Sequence, residues 1–298
     1  MDKLKAMTVL VNIVDAGSLT GAAERLDMSL TAVVRTLAGL EETLGVRLLN
    51  RTTRRLSVTD EGRDYVERCR RLLGDLNDME SALTDRRMRP SGRLAITAPV
   101  MFGRLHVAPL VTDFLVDHPE MRIELLLLDR VIDLLEEGID LAIRIGPLPD
   151  SSLIGIPLGT TQRVVCASPA FLERHGRPQQ PEALTAAPAV RFAGLPDGND
   201  WIFERAGERR RVQVRETFAA NQVDVALEAC SKGLGYGRFL AYQVSAAVAA
   251  GELVRVLDDW APPPVPVTLV HAQNRLLSPR IRAFTDWAVP RLRGRLSA

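Results

Sequence analysis

Arg35 is the residue of this chain whose setting points most directly to chemistry. It lies in TAVVRTLAGL beside Thr31, Val34 and Ala38, which share one helical face at a spacing of three and four. Slim side chains around one fixed cation suit a DNA major groove, about 12 Å wide, where a guanidinium can donate to guanine O6 and N7. Further on, Arg47, Arg51, Arg54 and Arg55 fall in GVRLLNRTTRRLSVT, a stretch with no acidic residue. With Thr52 and Thr53 they form a set able to neutralise phosphates and fix register without reading bases. Other chemistries have less material. Cys69, Cys166 and Cys230 are odd in number and widely spaced, and His106, His118, His175 and His271 fall on different elements, so neither a disulfide framework nor a zinc site is indicated. Buried thiols are the simpler reading, with a redox role for Cys166 and Cys230 left open. The run GLGYG at 233–237 lacks the lysine of a phosphate loop and reads as a helix cap and turn.

Those cations need helices and a ribbon to hold them. Ser18 and Ser29 each precede a helical run, as N-caps do. Leu19, Ala22, Ala23 and Leu26 mark one helix, Asp27 and Met28 a turn, and Val33, Leu37, Leu40 and Leu44 the buried stripe of the next. Ahead of them, Leu4, Met7, Val11 and Val14 make the stripe of a first helix ending at Gly17. Leu56 and Val58 alternate as in a strand, so the basic stretch reads as a hairpin, or wing. An ordinary αα-hairpin followed by a solvated charge run is the bland alternative.

Residues 1–60 resemble the winged helix-turn-helix of the LysR-type transcriptional regulators. The resemblance rests on AGSLTGAAERLDMS, on AVVRTLAGLEETLGVRLLNRTTRRLSVTDEG and on their mutual spacing. It implies double-stranded DNA as partner and Ser18, Ser29, Thr31, Val34, Arg35, Arg51, Thr52, Thr53, Arg54 and Arg55 as the contacting set. Leu30 stands where the family commonly has proline and Val34 where a serine is common. A hydroxyl contact is thereby replaced by a methyl surface suited to thymine.

From Thr59, TDEGRDYVERCRRLLGDLNDMESALTDRRM reads as one helix with Asp60 and Glu61 in its first turn. Tyr65, Cys69, Leu72, Leu76, Met79 and Leu83 are spaced as a heptad seam. At 1.5 Å per residue the helix would be about 45 Å long, more than the small preceding domain covers. The resemblance implies a linker helix that pairs antiparallel with a second copy, giving a homodimer and commonly a homotetramer. Docking on the chain's own second domain is the alternative.

Arg89, Pro90, Ser91 and Gly92 read as a hinge. Beyond it RLAITA, RIELLLLD and DLAIRIG read as strands, with RLHVAPLVTDFLVDHPE and VIDLLEEGI as helices between them, a parallel α/β pattern. A second block runs from QRVVCASPAFLERHG through NQVDVALEACSKGLG to LVRVL, and PVTLVHAQ with PRIRAFTDWAVPRL closes the chain. Residues 93 onward resemble the family's effector-binding domain, through TAPVMFGRLHVAPL, DLAIRIGPLPDSSL, RVVCASPAFLERHG and RIRAFTDW. The expected fold is therefore a mainly α winged helix-turn-helix at 1–58, a linker helix at 59–89, and a two-lobed, periplasmic-binding-protein-like α/β domain at 90–298. Lobe I would take about 90–160 and 266–298, and lobe II about 161–265. Ligands of such folds lie outside the carboxyl ends of strands. That rule selects Val100, Met101 and Phe102, then Leu128 with Asp129, then Arg144 and Gly146. Trp201, Phe203 and Asn221 would come from lobe II. For Met101 and Arg144 the alternatives are lobe packing and a paired structural cation.

The 298 residues carry a net charge of only +1, so the basic character is local, and 46% are apolar, enough for real cores. No apolar run approaches the roughly 20 residues of a membrane span, and the first residues read as an amphipathic helix rather than a signal peptide, so a cytoplasmic protein without membrane contact is expected. The leading hypothesis is a DNA-binding regulator answering to a small-molecule effector, without cofactor or metal, and by the resemblance able to meet RNA polymerase. An enzyme with an accessory DNA-binding module is the alternative, for which no nucleophile, metal spacing or cofactor fingerprint speaks.

Overall fold

The computed structural model describes residues 2–51, 56–84, 90–148, 153–185, 187–194, 198–272 and 278–297. The chain divides into two compact units, with the break in sequence at 88/89.

In the first unit each short helix is started by a side-chain cap. Asp2 accepts from the Lys5 N–H (3.1 Å) to begin α1 (Lys3–Ala16), which closes at Gly17. Ser18 Oγ accepts from Gly21 N (3.0 Å) for α2 (Leu19–Arg25), and Ser29 Oγ from Ala32 N (3.2 Å) for α3 (Leu30–Leu44). Each hydroxyl satisfies a first-turn donor that the helix itself leaves unpaired. Asp27, at φ 49°, makes the turn between α2 and α3. Two short strands, β1 (Leu49–Arg51) and β2 (Leu56–Val58), pair antiparallel with Leu49 opposite Val58, which is the expected wing. The core is Ala6, Val9, Leu10, Ile13, Ala22, Val33, Leu37, Leu40 and Leu48 with Val66 from α4 (Asp60–Thr84). At the junction of wing and α4, the Thr59 hydroxyl accepts from Gly62 N (2.9 Å) and lies 2.8 Å from Arg47 O. Gly62 packs so close that a Cβ there would sit 2.1 Å from Leu48 O.

Three expectations for this unit are corrected. The buried face of α1 carries Ala6, Val9, Leu10 and Ile13, while Leu4 is 49% exposed. The stripe of α3 ends at Leu40, and Leu44 is 38% exposed. There the chain is closed by a polar device, Glu41 accepting from Leu48 N (2.9 Å) and Leu49 N (3.1 Å), so no apolar contact is needed at 44. The seam of α4 is divided. Tyr65 packs on the unit's own core, Cys69 is 1% exposed, and Arg70 pairs with Asp15 of α1. Tyr65 and Cys69 therefore face inward in the monomer, whereas Leu72 is 54% exposed and Leu76 half-buried. At 25 residues, α4 is about 37 Å long. The side chains of Met79 and Leu83 lie outside the described residues.

In the second unit two five-stranded mixed sheets form two lobes. Lobe I has the order β4-β3-β5-β14-β6. In it β3 (Gly92–Ala98) runs parallel to β4 (Met121–Leu127) and β5 (Leu141–Ile145), while β14 (Val265–Ala272) lies antiparallel to β5 and β6 (Leu153–Thr161). Lobe II has the order β11 (Arg215–Ala220), β8 (Pro188–Phe192), β12 (Tyr236–Leu240), β7 (Arg163–Ala167), β13 (Val254–Val256), with β11, β8 and β12 parallel. The backbone crosses between lobes from β6 to β7 and from β13 to β14. After β3 the chain enters α5 (Val100–Phe102), a π-helical turn (Gly103–Val107) and α6 (Ala108–Asp117). Phe114 of α6 meets Phe284 of α10 (Pro279–Ser297) edge-on at 5.2 Å in the lobe I core.

Each sheet is thus only partly parallel, because the segments that cross between lobes return antiparallel. VIDLLEEGI, expected as a helix, is a single turn: Asp133 accepts from Leu135 N and Glu136 N, and Gly138, at φ 66°, ends it. Ile132, Leu134 and Ile139 are buried while Val131 is 84% and Leu135 56% exposed, so the segment packs its apolar side chains from an irregular turn and not from a helix. A hairpin unforeseen from sequence, β9 (Asp200–Arg205) with β10 (Glu208–Gln213), covers the lobe II core. Lobe II is completed by α7 (Pro169–His175), α8 (Val223–Ser231) and α9 (Ala241–Ala249).

Candidate nucleic-acid interface and interlobe cleft

The outward face of α3 is as slim as its sequence requires. Thr31, Arg35 and Ala38 are exposed, Val34 is half-buried at the edge of the face, and Ser29 stands exposed at the helix start. Ser18 is half-buried in its capping role. Among the described residues no carboxylate pairs with Arg35. Arg51 contributes its backbone to the wing, and its side chain, like Thr52, Thr53, Arg54 and Arg55 as a whole, lies outside the described residues.

The second unit holds a cleft of about 420 Å³ between its lobes. Of the nine residues expected there, Leu128, Arg144 and Gly146 line it, with Asp129 beside them. The others do not line it. Val100 offers its backbone N–H to Asp129 Oδ1 (3.1 Å). Met101 turns into the lobe II core, and Phe102 is buried in lobe I with Tyr242 edge-on at 5.4 Å, because one helical turn directs both side chains into packed layers. Trp201 and Phe203 alternate along β9 and so both face the lobe II core. Asn221 is exposed ahead of α8 and away from the cleft wall.

Lobe II instead supplies Phe192 and Gly194 after β8, and Leu240, Tyr242 and Gln243 at the end of β12. The carboxyl-end rule finds these residues once β8 and β12 are recognised as strands. Gln243 is held in place, its Oε1 accepting from Leu240 N (2.8 Å). Burial pushes the Tyr242 phenol well above its ordinary range, so it stays a neutral hydroxyl.

Charge in the cleft is unevenly compensated. Burial raises the Asp129 carboxyl, assisted by repulsion from Asp224 and opposed by the Val100 N–H. Burial likewise lowers the Arg144 guanidinium, one Nη of which donates to Ile132 O (2.6 Å). Behind the wall, His106 packs against Phe102 and Tyr242 (4.8 and 5.7 Å), and burial with the charge of Arg295 lowers its pKa. Cys166 and Cys230 are fully buried neighbours, with the Cys230 thiol 3.5 Å from Cys166 O. Among the described residues no cluster of three metal-ligating side chains occurs, and no single helix is long and apolar enough to cross a membrane.

Comparison with known proteins follows the same division of the chain. Residues 4–63 match the model of the bacterial regulatory helix-turn-helix protein, lysR family, and residues 87–293 that of the LysR substrate binding domain. The chain is 37% identical over 291 residues to the HTH-type transcriptional repressor PA14_22550 of Pseudomonas aeruginosa (strain UCBPP-PA14), covering 97% of this chain and 92% of that one. Among solved structures, CrgA from Neisseria meningitidis, a LysR-type transcriptional regulator, superposes with a TM-score of 0.62 at 32% identity, covering 97% of this chain and 98% of that one. The full-length Vibrio cholerae virulence activator AphB gives 0.60 at 28% identity, with 96% and 98% covered. The capped helix pair with its wing, followed by two lobes around a cleft, is thus a member of the LysR family of transcriptional regulators, with a helix-turn-helix DNA-binding domain and a substrate-binding domain.

Proposed function

We propose that this regulator acts in the cytoplasm as a homodimer, or a pair of dimers, that reads two operator half-sites with α3 and answers to a small molecule held between its lobes. The observation that carries this reading is the exposed face of α3, where Arg35 stands among slim neighbours without an acidic partner among the described residues. Thr31, Val34 and Arg35 read base edges; Arg51 to Arg55 of the wing hold phosphates and set register. Leu72 and Leu76 supply the apolar seam between copies, since Cys69 is already spent inside the chain. Leu128, Arg144 and Gly146 take the effector, and contact with RNA polymerase belongs to the same reading. Nothing in this scheme calls on catalysis. An electrophoretic shift with the DNA upstream of its own gene tests it: sequence-specific retardation in steps of dimer mass is expected, and binding indifferent to sequence would refute it.

A further inference from the structure

Asp129 and Arg144 line one cavity with opposite charges and do not pair with each other. Asp129 Oδ1 takes the Val100 N–H, but Oδ2 is buried with no hydrogen-bond partner among the described residues, and the neighbouring charge that acts on it, Asp224, repels it. Arg144 spends one Nη on a backbone carbonyl, and among the described residues no carboxylate balances it. The other cations of the wall are engaged: Arg130 pairs with Glu137 at 2.8 Å, and Arg163 has interactions of its own. Sinking a charge below the surface is costly unless a partner meets it. Two such charges in one cavity are accounted for if the partner arrives with a ligand. The remaining wall is mainly apolar, with Leu128, Phe192 and Val265, and carries Thr97, Tyr242 and Gln243 as neutral polar groups; about 420 Å³ suits a molecule of modest size.

On the reading that the cleft is the effector site, we propose that its effector is bipolar: a carboxylate at the Arg144 guanidinium and a hydrogen-bond donor, ammonium or hydroxyl, at Asp129 Oδ2, joined by a short apolar body. Tyr242 and Phe192 bring lobe II against that body, so both lobes touch one molecule.

The test uses the full chain and four probes of one scaffold at equal millimolar concentration: L-phenylalanine, L-3-phenyllactate, 3-phenylpropionate and 2-phenylethylamine. The first two should bind in calorimetry, and losing either pole should weaken binding about tenfold or more. Phenylalanine against phenyllactate separates an ammonium donor from a hydroxyl one. Asp129→Asn keeps the acceptor for Val100 N–H and removes the uncompensated charge. Without ligand it should raise the melting temperature of its domain by about 2–4 °C while losing the bipolar probes. Arg144→Gln should lose the carboxylate-bearing probes alone. A lowered melting temperature for Asp129→Asn, equal affinity for phenylpropionate and phenylalanine, or no binding by any probe would overturn the proposal. Leu128→Trp, which fills the cavity, separates this from the underlying reading. If phenylpropionate binds best and Leu128→Trp abolishes it, the cleft stands and bipolarity falls. Probes that still bind to Leu128→Trp would remove the cleft itself.

Discussion

Single side chains divide the work of recognition by where they are anchored. Arg35 projects from a helix fixed at its start by Ser29 and along its length by Val33, Leu37 and Leu40, so on the proposed function its guanidinium addresses one base pair. Arg35→Ala should cost about 1–3 kcal/mol on the operator and relax preference at one position, whereas Arg51→Ala, on the wing, should weaken all sequences alike and lower the salt slope by about one. Titrating operator and scrambled DNA at several salt concentrations checks both; identical profiles for the two variants would contradict the division. His106 makes a second residue-scale prediction. Its folded pKa lies below the ordinary 6.5, so the unfolded chain binds the extra proton more readily. The stability this contributes is present above pH 6.5 and lost as pH falls through the depressed value. Melting curves across that range should slope less for His106→Gln than for wild type; equal slopes would rule this out. The exposure of Arg35 and the place of Arg144 in the cleft wall were legible in the sequence, because each lies on a clear periodic element. Trp201 and Phe203 were not, because a strand of alternating residues with charged neighbours gave no sign of which face would be covered.

At the level of elements, the linker helix changes character along its length. Its first turns pack on α1, and Leu72 is the first seam residue left to solvent. Leu72→Asp should therefore spare the fold of the first unit, place a carboxylate at the interface between copies, and yield monomers that no longer bind operator. Sedimentation velocity with circular dichroism decides the matter; a folded variant that still sediments as a dimer would move the seam elsewhere. The stripe expected on α1 lies off centre, with Val11 and Val14 at the edge of the core and Leu4 exposed, since Leu4, Ala6, Met7, Val9, Leu10, Val11, Ile13 and Val14 surround nearly the whole helix. Period fixes that a helix forms there. Which stripe is buried depends on α2 and α3. The short helix expected at VIDLLEEGI failed for a local reason, as Asp133 and Gly138 allow one turn between them.

As a whole molecule the chain carries separate cores: among the described residues, one in the first unit and four apolar clusters in the second. Calorimetry should accordingly resolve two unfolding transitions, and a ligand of the cleft should raise only one of them, because it binds only one native unit. A single transition that moves as one with ligand would argue against this. The two-lobe plan was legible from the strand–helix rhythm. The antiparallel return of β14 and β6 was not, because direction within a sheet leaves no mark on hydrophobic period. The fastening of wing to linker helix carries a mechanical consequence. With Thr59 tied to Arg47 O and Gly62 seated against Leu48 O, the joint has no slack in which to absorb an angular error. The helix behaves as a lever arm of about 37 Å, and a swing of about 5° moves its tip about 3 Å, close to the 3.4 Å that separates successive base pairs. A rotation small enough to escape notice at the hub would therefore slide a reading head by one letter of its text.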